Sequence, residues 1–205
     1  AQRHGAGWIA RPPELATDGA LGEDAFAHGY RVIHEELKSE GKEIELLVLL
    51  FCNAPCVTPA LIEKGISVLR QDPQLDSAIS VSVYNMWSPT RARSLGADGL
   101  LHPFVPFKAL GEAATRASCD RDSQGEVYFA DQGVSVVRPR CLKNLSRGQL
   151  PQRWMGRKIH PLRQWGGLDV DYECQIPQVE FWLRAHGIKP AVEEGRQATT
   201  EEVRA

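Results

Sequence analysis

The sequence has almost no net charge. Its 205 residues carry 24 Lys and Arg against 26 Asp and Glu, a formal charge of −2. No overall basic field draws such a chain to nucleic acid or to a membrane surface, so neither is expected as a partner. No apolar run approaches the roughly 18 residues of a membrane span, and no signal peptide is visible. There is no starting methionine, and "AQRHGAGWIARPPELATD" does not look like a natural start, which predicts an upstream segment. Cysteine is sparse: Cys52, Cys56, Cys119, Cys141 and Cys174, an odd and scattered set. That pattern predicts reduced thiols in a cytoplasmic protein. The C-x-x-x-C of Cys52 and Cys56 has no second pair and no clustered histidines behind it, which argues against zinc. No H-E-x-x-H, no serine nucleophile elbow and no internal repeat is present.

What is there suits one sizeable domain, expected over 1–189, followed by a polar tail over 190–205. Phe26, Tyr30, Ile33 and Leu37 recur on one helical face, with Asp18 as a plausible cap and Gly41 as a stop. The unbroken apolar run "ELLVLLFC" (45–52) predicts a strand buried on both faces. Thr58 and Pro59 fit an N-cap and first helical position for a helix through Leu69. "SAISVSV" (77–83) alternates like a strand. Strand, helix, strand makes a βαβ unit, so the fold class expected is α/β, a mostly parallel sheet flanked by helices. The stretch from Tyr84 to Gln124, rich in Pro, Gly and charge, predicts long loops with little regular structure. "EVYFADQGVSVV" (126–137) returns to strand, "KIHPL" fits a short strand, and "VEFWLRAHG" fits a helix ending at Gly187.

In open α/β sheets, ligands sit at the carboxyl ends of the strands. That rule selects Asn53 and the segment "GGLDVDYE" (166–173). In an extended segment, Asp169 and Asp171 share one face with Cα atoms roughly 7 Å apart. Two such carboxylates fit one magnesium ion, which takes one or two carboxylates plus phosphate oxygens and water. Spacing alone fits more readily a helix cap at Asp171 and a solvated Asp169, because D-x-D is common. Arg121, between two aspartates in "SCDRDSQG", suits a grip on a carboxylate or phosphate, or simply a solvated charge cluster. Arg11 is ambiguous alone.

Taken in order, "ARPPELATDGA", "LVLLFCNAP", "DSAISVSV", "RDSQGEVYFADQGVSVV" and "GGLDVDYECQIPQVEFWL" resemble the acylneuraminate cytidylyltransferase family, which makes CMP-activated sialic acids and similar sugars. The resemblance runs from Ala1 to about Gly187 and implies a Rossmann-like nucleotidyltransferase fold. It implies that Asp169 and Asp171 bind the catalytic Mg2+. Arg11 would lie near the nucleotide base, and Asn53 in the turn lining the cleft. Arg121 would lie near the acceptor, and Gln132 stands where the family has an acceptor-contacting asparagine. The expected activity is transfer of CMP from CTP to an acidic sugar or a phosphonate, releasing pyrophosphate, by a homodimer.

Two departures bear on that expectation. The strand-end turn reads "FCNAPCV", with Phe51 in place of a polar residue and Val57 in place of an arginine. Both changes fall on the acceptor side. The family's N-terminal strand and its glycine- and lysine-containing loop, which cradles the triphosphate, are missing from this sequence. The alternative expectation is therefore a non-catalytic nucleotide- or sugar-binding module, or an inactive fragment.

Overall fold

Helical and extended runs alternate along the chain, and the computed structural model, which describes residues 4–189, stacks them in layers. In chain order the elements are α1 (Gly22–Ser39), β1 (Leu47–Leu49), α2 (Pro59–Gln71), β2 (Ser77–Val83), β3 (Arg93–Leu95), β4 (Leu101–Pro103), α3 (Glu112–Arg116), β5 (Tyr128–Val137), α4 (Pro139–Lys143), β6 (Ile159–Arg163) and α5 (Ile176–Ala185). The tail expected over 190–205 lies outside the described residues. Among the described residues, no helix is long and apolar enough to cross a membrane.

The main sheet has the order β1-β5-β2-β6. β2 pairs with β6 in parallel, and β5 runs antiparallel to both β1 and β2. Three strands thus share one direction, and the fold class is α/β as expected. β5 runs against them and separates the two strands of the βαβ unit. Helices cover both faces. Tyr30 of α1 and Leu142 of α4 pack with Ile79, Val137 and Trp154 on one side. Leu69 of α2 packs on Ala78, Val134, Val136 and Leu162 on the other. A third cluster joins Val179 and Trp182 of α5 to Cys56 and Leu168.

Local signals placed some elements accurately. Thr58 accepts from the Leu61 N–H at 3.3 Å, and Pro59 opens α2. Pro177 sits in the first turn of α5. Others needed tertiary context. α1 begins at Gly22 behind Leu21, so Asp18 is not its cap. β1 is a three-residue edge strand with Val48 38 % exposed, not a strand buried on both faces. An apolar run at a sheet edge has one strand neighbour, so its outer side stays open. In β2 the alternation is not inside against outside: six of its seven residues are buried because helices cover both faces. The serines survive there by bonding inward, as Ser77 Oγ does to Met155 O at 2.6 Å. The stretch from Tyr84 to Gln124 is more ordered than expected. It holds the β3–β4 hairpin and α3.

Between α1, β1 and Ile66 of α2 lies an apolar groove of about 610 Å3, walled by Phe26, Ile33 and Leu37 on the helix side.

Candidate functional site

The break in the β2–β5 ladder builds the site. Ile79 pairs with Ser135 and Val81 with Ala130, so Ser80 alone faces the four residues Asp131 to Val134. Those residues bulge out of the strand. Asp131 turns inward and is buried. Its carboxylate accepts from Ser80 Oγ at 2.5 Å, Ser82 Oγ at 2.7 Å, Gln164 Nε2 at 2.9 Å and the Gly133 N–H at 3.2 Å. A buried carboxylate is tolerable when donors surround it in this way. Gln132 then takes a left-handed backbone, φ 59°, unusual for a residue with a side chain. Its amide oxygen is buried with no hydrogen-bond partner among the described residues.

The same carboxylate holds the loop after β6. Gln164 bridges Asp131 and the Cys56 carbonyl. The Gly167 N–H donates to Ser82 Oγ at 3.0 Å, and Tyr84 OH donates to the Gly167 carbonyl at 2.8 Å. A Cβ at Gly167 would sit 2.5 Å from Asp131 Oδ2, so only glycine lets the loop approach this closely. Burial, and then the negative charges of Asp131 and Asp169, push the Tyr84 phenol up to about 12. It therefore stays a donor across the physiological range. Burial likewise raises the Cys56 thiol, which leaves it protonated and inert.

From Gly167 the chain runs extended, and its alternation sorts the side chains. Leu168 and Val170 join the α5 cluster. Asp169 and Asp171 therefore take the opposite side. The Val170 N–H donates to Asn53 O at 2.8 Å, and Asn53 Nδ2 donates to Asp171 Oδ1 at 3.3 Å. Asp171 does not cap the following turn: Gln175 Oε1 accepts from the Asp171 and Tyr172 N–H groups instead.

Asn53, Gln132 and Asp169 line one open cleft of about 370 Å3 at the carboxyl ends of β1 and β6. Its other walls include Glu23 at the start of α1, Phe51, Gln152 and Trp154. Glu23 is fixed there by accepting from the Arg153 N–H at 2.9 Å. Two of the expected site residues lie apart from this cleft. Arg121 is exposed in a separate hollow beside Val83, Tyr84 and Met86, paired with Asp122 at 2.9 Å. Hydrogen bonds from Arg121 and Asn85 hold the Asp122 carboxyl down at about 2. Arg11 is exposed just before the turn Pro13–Leu15, next to Ala10, whose carbonyl contacts His28 of α1 at 3.1 Å.

Glu23, Asp131, Gln152 and Trp154 were not among the sequence-derived candidates. For Asp131 a signal existed: Asp-Gln-Gly interrupts an otherwise apolar strand, as a bulge does. For Glu23 and Gln152 none did, because their neighbours in the cleft are distant in sequence.

A pair of carboxylates with no His or Cys beside it would suit magnesium rather than zinc. Among the described residues no group of three or more His, Cys, Asp or Glu could hold a metal by itself. An ion at Asp169 and Asp171 would draw its remaining ligands from phosphate oxygens and water, as magnesium does.

No protein-family model matches this sequence, and a comparison with curated proteins finds no match. Among solved structures the chain is similar to a CMP:2-keto-3-deoxy-manno-octonic acid synthetase complexed with CTP. The two are 16 % identical, with 82 % of this chain and 70 % of that one covered and a TM-score of 0.47.

Proposed function

We propose that this chain is a nucleotidyltransferase of the cytidylyltransferase type, moving CMP from CTP to a hydroxyl of an acidic sugar or related acceptor. One observation carries the reading. Asp169 lines the cleft with Asn53 and Gln132, and Asp171, two residues on along an extended segment whose alternate residues pack in the core, is held by the Asn53 amide.

The chemistry follows from positioning and charge. An acceptor hydroxyl oxygen attacks the α-phosphorus, the bond to the bridging oxygen of the β-phosphate breaks, and pyrophosphate leaves with that electron pair. The hydroxyl proton passes to solvent or to a cleft carboxylate. Such transfer needs in-line placement and neutralisation of charge more than covalent help. Asp169 and Asp171 would hold magnesium, which when bound supplies charge neutralisation at the α-phosphate. Asn53 orients the Asp171 carboxylate. Gln132, held by Asp131, meets the acceptor. In this reading Arg121 holds the acceptor's acid from outside the cleft, and to do so it exchanges Asp122 for the ligand. Arg11 lies towards the base.

A second reading is a non-catalytic nucleotide- or sugar-binding module. It is favoured by the absence of Lys and Arg among the described residues lining the cleft, since a triphosphate normally calls for a cation from the protein. Measuring pyrophosphate release from each of the four nucleoside triphosphates with a panel of acidic sugars and phosphonates separates the two. Release restricted to CTP is expected. Nucleotide binding with no release from any of the four selects the second reading.

We also place the protein in the cytoplasm as a homodimer. The five thiols are unpaired. Leu95, Leu100, Leu101 and Phe104, on and beside the β3–β4 hairpin, are each more than half exposed, an apolar area that suits self-association. Sedimentation of the wild type against Leu101→Asp tests it, with a monomer expected for the variant.

A further inference from the structure

Charge is unevenly spread along this nearly balanced chain. Residues 138–158 carry seven Lys and Arg and no Asp or Glu, against a net −2 for the whole sequence. The fold engages some of these cations. Arg138 donates to the carbonyls of Leu69, Leu75 and Asp72. Arg140 donates to Asp76 Oδ1 at 2.7 Å and to the carbonyls of Pro73, Gln74 and Leu75. Lys158 reaches Gln74 Oε1 at 2.9 Å. Arg147 and Arg157 are exposed, and among the described residues their guanidiniums have no hydrogen-bond or ion-pair partner. Both line a hollow of about 420 Å3, together with Asp76, Asn144 and Ser146. The hollow lies just before the first residues of β2 and β6. That is the opposite end of the sheet from the cleft of Asn53 and Asp169, the length of β2 away, roughly 20 Å.

The one carboxylate among the described walls is already matched. Asp76 Oδ1 takes the Arg140 guanidinium, and Oδ2 accepts from the Arg157 and Lys158 N–H groups at 2.8 and 3.0 Å. Gly156, at φ 78°, permits that close approach: a Cβ there would sit 2.5 Å from Asp76 Cβ. Burial, and then Asp76, push the Cys141 thiol on the floor up to about 11, so no thiolate adds negative charge. Two guanidiniums therefore remain as net charge over the hollow. Ser146 Oγ donates to Asn144 Oδ1 at 2.6 Å, which leaves the Asn144 NH2 as a further donor. Guanidinium forks beside an amide donor suit the oxygens of a phosphoryl group, which they hold by charge-assisted bonds. We propose that this hollow is an anion site separate from the cleft, taking the phosphoryl group of a small phosphorylated molecule. It stands independently of the nucleotidyl-transfer reading.

The test is calorimetric titration of the full chain in EDTA, so that Asp169 and Asp171 cannot gather phosphate through a metal. The probes are inorganic phosphate, pyrophosphate and ribose 5-phosphate, with ribose as the neutral control. Wild type is expected to bind at least one phosphate probe with a Kd of about 1 mM or tighter, and ribose at least about tenfold more weakly. Arg147→Gln and Arg157→Gln are each expected to weaken that binding at least about tenfold, because each removes a charge-assisted donor. Lys143→Gln removes the same charge from the same basic segment but outside the walls of the hollow, and is expected to stay within about twofold of wild type. All three positions are exposed, and unchanged thermal unfolding verifies that each variant is folded. No binding of any phosphate probe up to about 10 mM overturns the proposal. So does an equal loss in all three variants, which would reveal attraction by the field of the segment alone. Binding confined to phosphatidylglycerol vesicles, with none of the soluble phosphates taken, also overturns it. Loss of phosphate binding in Asp171→Asn with both arginine variants unaffected would put the ligand in the cleft and have the same effect.

Discussion

The Asp131 carboxylate lies 2.5 Å from Ser80 Oγ, at the point where the β2–β5 ladder breaks. One buried acid thereby fixes two things at once: the bulge that presents Gln132, and the loop that leads to Asp169. Asp131→Ala would strand two hydroxyls, the Gln164 amide and the Gly133 N–H. A loss of about 2–4 kcal/mol is expected in denaturant unfolding. A loss under about 0.5 kcal/mol would mean that water replaces the carboxylate freely and that the bulge has other supports.

Gln132 separates stability from binding. Glycine at this position relieves a left-handed backbone worth about 1–2 kcal/mol but loosens the unfolded chain by about 0.5–1 kcal/mol. Gln132→Gly is therefore expected to unfold within about 1 kcal/mol of wild type while acceptor-dependent turnover falls at least about tenfold. Full turnover in a stable Gln132→Gly protein would remove the residue from the acceptor site.

Asp171→Asn keeps a polar partner for Asn53 and removes a charge. Turnover should fall at least about a hundredfold with unfolding unchanged. Activity within about threefold of wild type would show that the Asp169–Asp171 pair holds no catalytic ion.

At Gly65 two effects compete. Alanine gains about 1 kcal/mol of helix propensity over glycine. Its Cβ would meet Val136 Cγ2 at 2.7 Å and Leu162 Cδ1 at 3.0 Å, where α2 rests on the sheet. Overpacking of that kind costs about 1–3 kcal/mol. Gly65→Ala is expected to lower the melting temperature, and a rise would show that α2 can step back from β5.

Asp76 gives a pH signature. Burial pulls its pKa upward, but the Lys158 and Arg157 N–H groups and the Arg140 guanidinium outweigh burial, and the net shift is downward. A depressed carboxyl contributes stability above its unfolded pKa, about 3.9, and loses it as pH falls through the folded value. The stability gap between wild type and Asp76→Asn should therefore be flat above about pH 5 and close below about pH 4. A gap that widens on acidification would contradict the ion-pair account.

What could be read from the sequence was what local chemistry decides. Thr58-Pro59 caps and opens α2 whatever surrounds it, and the i, i+2 spacing of Asp169 and Asp171 puts both on one face of any extended chain. Non-local contacts decided the rest. β1 was read as buried because its residues are apolar, yet its place at the sheet edge comes from β5, which pairs with it across some ninety residues. Ser80, Ser82 and Asp131 look like ordinary polar residues until a fold brings them together. Arg121 stood out as an anion-gripping side chain and took its acceptor role from the resemblance, yet it pairs with Asp122, its sequence neighbour.

The outer rim of β1 has a practical consequence. Val48 and Leu50 are open there, beside the groove under α1, and no described strand pairs with that side. A rim with spare amide donors and carbonyls invites another chain to zip onto it. As the protein is concentrated, cloudiness and fibre-like growth should begin at this rim, and a lysine in place of Val48 is the change that keeps the solution clear.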